Sequence, residues 1–379
     1  MSDASVVVAG ASGFAGALAA SLVHRHPRLE LAAATARADA GARLDRLYPR
    51  YRVPIELTEL DPESAGDYDA AIVSYPHGAA AEVVARFVEA GVPVVDVSAD
   101  FRLHDRTVYE KTYGEHAAPE LLGSAVYGLT ELHRDEVRGA RLVANPGCYP
   151  TAAILALAPL AAAGLAGDVV ISAASGVSGA GRGGGDRLHF VSVDENFTPY
   201  GVDGHRHLPE IVQELGELGG DGQVTFVPHL VPLDQGLMTS CFVSASRGVD
   251  AAELRRLYAE RYSGEPFIEV VDDPPGVREV RDTNLCRIHV AVDAGTGRAM
   301  AFAAIDNLWK GAAGQAIQNL NLMLRAGRAP HADRERSLRG PIHGASSAYV
   351  VAGVDRARPP RTTRSRKWPS TAGGLGMPS

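Results

Sequence analysis

Of the three cysteines in the chain, Cys148, Cys241 and Cys286, one sits where sulfur could act as a nucleophile. Cys148 lies in Ala144-Asn145-Pro146-Gly147-Cys148-Tyr149-Pro150-Thr151, a turn between a short apolar strand and an apolar helix reading from Thr151. A thiol near a helix start meets unpaired N–H groups and the positive end of the helix dipole, which favour the thiolate and lower its pKa. Such a sulfur attacks acyl groups. A small buried hydrophobe before a core helix has the same local signature, so the rest of the chain must decide. Gly204-His205-Arg206-His207-Leu-Pro-Glu210-Ile211 adds two histidines, the usual proton carriers near neutrality. They lie two apart, so one is read as catalytic and the other as structural, and His229 as structural. Arg102, in Ser98-Ala-Asp-Phe-Arg102, is a candidate phosphate clamp, with a salt bridge to Asp100 or Asp105 as the other reading.

The elements that must position these groups are legible in the pattern. Val6–Ala9 is a buried strand that runs into Gly10-Ala-Ser12-Gly13-Phe14-Ala-Gly16 and then a helix. This is a dinucleotide-binding strand, turn and helix, in which the glycines allow the turn, the approach of a pyrophosphate and close packing. The second strand ends in Thr35-Ala-Arg37 rather than in a carboxylate. Arg37, with Thr35 as a second contact, therefore favours the 2′-phosphate of NADP over NAD. Further strands and helices alternate to about residue 97, as a doubly wound sheet requires. Past the cysteine helix, strands at 168–173 and 223–228 are separated by long polar loops, which predicts a second, mixed α+β domain. Ser175 to Gly185 is glycine-rich and would admit a flat ring. Asn307 and Gln315 offer amides suited to a nicotinamide carboxamide.

At 379 residues and 46% hydrophobic content the chain can bury a large core, and it should form about two domains. Three cysteines without metal-ligand spacing indicate neither a disulfide framework nor a metal site, and a reducing cytoplasm is expected. The start of the chain lacks a basic leader, and no apolar run reaches membrane length, so neither export nor a membrane partner is expected. The net charge of −8 argues against nucleic acid. From Leu324 the composition shifts to eleven basic residues against three acids, which leaves −16 on the first 323 residues. That segment is expected to be a disordered basic tail.

Six ordered motifs, Gly10–Gly16, Asp96–Arg102, Asn145–Thr151, Ser175–Gly181, His205–Ile211 and Lys310-Gly-Ala-Ala-Gly-Gln315, together resemble the N-acetyl-γ-glutamyl-phosphate reductases of the aspartate-semialdehyde dehydrogenase superfamily. The resemblance covers about Val6 to Met323 and implies an α/β protein. A Rossmann domain (1–147, completed by 307–323) would carry an inserted α+β catalytic and oligomerisation domain (148–306), in a homo-oligomer. It implies NADPH as reductant and a small-molecule acyl phosphate as substrate. Cys148 would form a thioester, which hydride from a nicotinamide seated against Gly176, Ser178 and Gly179 reduces, while a histidine returns the proton. His205 is the first choice for that role and His207 the second, with Arg102, Asn145, Arg206 and Glu210 on the substrate. One departure is Leu233-Asp-Gln235-Gly236, where the family pattern is Met-x-Arg-Gly. Two rivals are a reductase of a carrier-linked aminoadipate phosphate and an NADP-sensing regulator without chemistry.

Overall fold

A computed structural model of the chain describes residues 4–326 apart from 184 and 246. The expected tail from 324 lies outside these residues beyond 326. Two sheets organise the molecule. The first contains β1 (Ala4–Ala9), β2 (Leu29–Thr35), β3 (Ala70–Val73), β4 (Val94–Asp96), β5 (Ala125–Tyr127) and β6 (Leu142–Ala144), in the order β2-β1-β3-β4-β6-β5 with every pairing parallel. Its central strands are unbroken apolar runs, since a parallel sheet is covered on both faces: Val6, Val7, Val8 and Ala70 to Val73 are all fully buried. The chain leaves β1 toward β2 on one side and β3 lies on the other. The carboxyl edge of β1 is thus a topological switch point, where ligands of such sheets bind.

The second sheet holds β7 (Ala166–Gly176), β8 (Thr198–Pro199), β9 (Val224–Val231), β10 (Leu237–Ala245), β11 (Ile268–Val270), β12 (Cys286–Val292) and β13 (Ala299–Ile305), ordered β11-β12-β13-β10-β7-β9-β8 with mixed directions. The helix Cys148–Ala162 packs on its inner face, and every residue from Tyr149 to Ala161 is buried. Pro159 sits inside that helix, a cost of about 3 kcal/mol. Full burial of Ile154, Leu155, Leu157 and Leu160, at roughly 1.5–3 kcal/mol each, outweighs it.

After β13 the chain turns through a single π-helical turn, Trp309–Ala313, and returns to the first sheet as the helix Gly314–Ala326. Leu308, Trp309, Ala316, Ile317 and Leu320 there share one core with Val6, Ala17 and Leu18. The return is pinned by Lys310, whose Nζ donates to Glu131 (2.6 Å) and Gln318 (2.9 Å). The architecture is the α/β one expected, a parallel doubly wound sheet beside a mixed sheet.

Candidate active site

Cys148 is itself the first residue of its helix, three residues earlier than the apolar pattern suggested. β6, the turn 145–147 and the helix therefore fix the sulfur directly. Gly147 is the N-cap and has no side chain to fill the helix start; Thr151 bonds back to its carbonyl through both N and Oγ1, each at 2.9 Å. Cys148 is half-buried, whereas Cys241 and Cys286 are fully buried, so among the three only Cys148 presents sulfur to a ligand. Gly311 of the π-turn backs onto it: a Cβ there would lie 2.7 Å from the Cys148 Cβ.

The pKa of this sulfur runs against the sequence expectation. Burial pushes the thiol up to about 11, outweighing the downward pull of Arg102, the Tyr149 N–H and Arg206. The helix N-terminus is present as expected, but loss of solvent dominates it. Near neutrality the thiol form is favoured, and ionisation must be coupled to a base.

His205 and His207 precede the helix Leu208–Glu217, with ring centroids 4.9 Å apart and both edge-on to Tyr149. His205 lies among aromatic rings, with Tyr200 and Phe226 each 5.4 Å away, and its Nδ1 accepts the N–H of His207 at 3.1 Å. Burial, then Arg206, lowers it to about 4. His207 is buried against the nucleophile turn: a Cβ on Gly147 would fall 2.7 Å from its Nε2. Its Nδ1 finds no partner among the described residues. Burial, His205 and the guanidinium groups of Arg102 and Arg206 hold His207 well below the usual range, so it is a neutral imidazole at pH 7.

Four polar residues were expected on the substrate, and the structure turns three of them inward. Arg102 donates through Nε to the Asn145 carbonyl (2.8 Å), through Nη2 to Val97 O (2.9 Å) and through Nη1 to Glu210 (3.4 Å). Glu210 accepts the Gly147 N–H at 2.8 Å and the Tyr127 hydroxyl at 2.6 Å. Asn145 is fully buried, with its amide donating to Ala312 O and accepting from Asn319. These three hold the nucleophile loop, and Arg102 Nη1 also lies at its turn, where a Cβ on Gly147 would fall 2.9 Å away. Arg206 alone stays exposed, with Nη1 3.2 Å from Nδ1 of His77. His77 escaped the sequence reading as a site residue; its signal was its place in the turn after β3, at the carboxyl edge.

The turn after β1 fits a dinucleotide phosphate. Gly10 has φ +88° and sits 2.5 Å, measured from its missing Cβ, from the carbonyl of Ser74, and a Cβ on Gly16 would strike Gly10 O at 2.2 Å. Gly13 caps the helix Phe14–His24 without a side-chain bond, which leaves first-turn N–H groups open to an anion. Ser12 lies in the same turn, its carbonyl accepting from Tyr48 at 2.7 Å. Arg37 is exposed with its guanidinium 5.1 Å over the Tyr75 ring, and Thr35 Oγ1 is 3.5 Å from the Tyr75 hydroxyl. Gly176 packs closely on the backbone of Leu233 and Asp234, while Gly179 is exposed on the turn Val177–Ala180.

The two amides expected on a nicotinamide are differently placed. Asn307 accepts from Gly236 N (2.8 Å) and donates to Ser178 Oγ (2.9 Å), so it shapes the turn and keeps at most one free amide proton. Gln315 is fully buried and donates to Gly128 O and Thr130 Oγ1, each at 3.0 Å, which removes it from any cofactor surface. At the departure from the family pattern, Gln235 donates to both oxygens of buried Asp306 and accepts from Arg50 at 3.2 and 3.3 Å. A guanidinium is thus supplied from the other sheet's side of the molecule, although residue 235 is not arginine.

No helix among the described residues is long and apolar enough to cross a membrane. Residues 5–140 match the family model described as semialdehyde dehydrogenase, NAD binding domain, and residues 148–307 that described as semialdehyde dehydrogenase, dimerisation domain. Among solved structures, aspartate semialdehyde dehydrogenase II from Vibrio cholerae superposes with a TM-score of 0.67 at 19% identity, covering 85% of this chain and 99% of that one. An aspartate semialdehyde dehydrogenase with NADP from Candida albicans gives 0.64 at 17% identity, covering 86% and 99%. These two establish the fold. The N-acetyl-gamma-glutamyl-phosphate reductase of Syntrophobacter fumaroxidans is 45% identical over 325 residues, 84% of this chain and 94% of the relative. That of Methanopyrus kandleri is 48% identical over 325 residues with the same coverage. With the fold, two family models and relatives of this similarity in agreement, the chain belongs to the N-acetyl-γ-glutamyl-phosphate reductase family.

Proposed function

We propose that this protein reduces N-acetyl-γ-glutamyl phosphate to N-acetylglutamate 5-semialdehyde and phosphate, with NADPH as reductant, in arginine biosynthesis. The observation that carries the reading is a half-buried thiol at a helix start, flanked by a neutral imidazole and an exposed guanidinium. His207 takes the thiol proton as sulfur attacks the acyl carbon, and phosphate leaves to give a thioester. Bound NADPH supplies a hydride to that carbonyl carbon. The resulting oxyanion collapses to the aldehyde, expelling sulfur as thiolate, which recovers its proton from His207. Burial disfavours imidazolium at His207, and the charge of an acyl phosphate beside it raises its basicity at the moment it is needed. Arg206, held at its Nη1 by His77, is the cation for the anionic substrate. Arg102, Asn145 and Glu210 are positioning residues.

The choice of His207 departs from the order taken from sequence. His207 lies against Gly147, whereas His205 is enclosed by rings and spends its Nδ1 on a backbone N–H. The test is semialdehyde oxidation run with phosphate and NADP. Cys148→Ser should lose at least about three orders of magnitude in turnover while still binding NADPH, because an unassisted hydroxyl is a far weaker nucleophile. His207→Asn should lose about 10²–10⁴ and His205→Asn much less; the reverse ranking would return the role to His205. Retention of a tenth of turnover by Cys148→Ser would end the covalent reading and reopen the non-catalytic one.

The second sheet also favours a homo-oligomer. Its helices cover one face, while Val170, Met238, Phe242, Met300 and Phe302 on the other remain partly exposed. That apolar face suits a second copy of the chain, in line with the description of the matching family model. Phe242→Asp should halve the solution mass measured by light scattering; an unchanged mass would place any contact elsewhere.

A further inference from the structure

Arg182 belongs to the glycine-rich stretch after β7, yet its side chain reaches the first sheet's side of the molecule. Its Nη1 donates to Oδ2 of Asp39 at 2.6 Å and to the carbonyl of Ser12 at 3.3 Å. Ser12 is in the dinucleotide turn, and Asp39 lies four residues past the end of β2. The guanidinium therefore bridges the two loops that border the adenosine end of a dinucleotide in doubly wound folds, where the ribose 2′ position is read. Sequence reading found no acid at the end of β2 and relied on Arg37 with Thr35; Asp39 supplies an acid and Arg182 neutralises it.

A bare carboxylate there would repel a 2′-phosphate. Paired to Arg182 it does not, and the pair is not locked: the side chains remain 42% and 24% exposed. An exposed pair of this kind adds little to stability. A phosphate offers three acceptor oxygens and about two charges, and it matches the planar guanidinium fork better than one carboxylate oxygen does. Arg37 stands ready as a second cation on its Tyr75 platform.

We propose that Arg182 is a specificity-determining residue for the cofactor, exchanging Asp39 for the 2′-phosphate of NADPH. Asp39 is then a placeholder that keeps the guanidinium at the groove until the phosphate arrives. The exchange breaks one ion pair and forms another, with no covalent change. It rests on the reading that NADPH occupies the groove above the turn 10–13.

The competing account is a strap that merely ties the two parts of the chain together, and the two partners separate these accounts. NADPH and NADH are titrated into the full-length protein without substrate, followed by nicotinamide fluorescence, for the native chain, Arg182→Gln and Asp39→Asn. Arg182→Gln should weaken NADPH binding about tenfold to hundredfold while changing NADH by less than about threefold. Asp39→Asn should tighten NADPH several-fold, since it removes both the competitor and a repelling charge. A strap instead predicts losses in both variants, for both cofactors. Equal losses of NADPH and NADH in Arg182→Gln, or weaker NADPH binding in Asp39→Asn, overturn the proposal. If Arg182→Gln folds poorly, Arg182→Lys serves: it should keep part of the NADPH preference, and full retention of the preference would count against a fork contact. A native protein that binds NADH as tightly as NADPH would overturn the NADPH reading itself, independently of Arg182.

Discussion

On either side of Cys148 lies a buried ion pair, and the two are built differently. Toward the C-terminal helix, Lys310 is 2.6 Å from Glu131, both side chains are fully enclosed, and Gln318 bonds to each of them. Toward the cleft, Arg102 stands 3.4 Å from Glu210, whose other oxygen serves the Gly147 N–H and the Tyr127 hydroxyl. Burial pushes both carboxyls up; at Glu131 Lys310 together with Gln318 more than reverses this, while at Glu210 Arg102, Tyr127 and the Gly147 N–H do not. Asp96 continues the series: among the described residues its carboxylate bonds only Ser98, and burial raises it to about 7. The closeness of the cation decides whether a buried carboxyl stays charged. The tight pair is a peg that seats the return helix. The loose pair leaves Glu210 bonds to spare for the backbone of the nucleophile loop.

Breaking the tight pair should have the largest effect. Lys310→Met takes the cation from Glu131, which must then bury a lone charge or take up a proton, and should cost about 3–5 kcal/mol in denaturant unfolding. Adding Glu131→Leu should restore most of that; a single-variant loss under about 1 kcal/mol would mean that solvent reaches the pair.

Asp96 sharpens the comparison through pH. A carboxyl raised by burial favours its protonated form, so its contribution is fully present below the unfolded pKa near 3.9 and is lost as pH rises to about 7. Unfolding free energy of the native chain should therefore fall against Asp96→Asn by about 1.4 kcal/mol per pH unit across that window and then level off. A difference that stays constant from pH 4 to 7 would show that Asp96 is ionised throughout.

The loose pair should give the smallest effect, and it should fall on rate. Glu210→Gln keeps an acceptor for Gly147 but removes the charge, so stability should change by only about 1–2 kcal/mol while kcat drops about tenfold. Unaltered kcat would separate Glu210 from the positioning of Cys148.

What the sequence determined by itself was whatever short stretches of backbone decide. The strand, glycine turn and helix at 4–24 are set within a few residues, because Gly10 must take φ +88° and Gly16 must pack on Gly10. A helix just after the Pro146-Gly147 turn is equally local, since apolar periodicity and turn chemistry act between neighbours, although periodicity began it at Thr151 and the structure at Cys148. Only the tertiary structure decided how those residues are partnered. Glu210 meets Gly147 across 63 residues, Lys310 meets Glu131 across 179 and Arg182 meets Asp39 across 143. Residue type tells which bonds Arg102, Asn145 and Gln315 can make, but not that the protein itself takes them up. The same limit reversed the expectation for the thiol: a helix dipole can be read from neighbours in sequence, whereas desolvation depends on everything packed around the sulfur, and here it prevails.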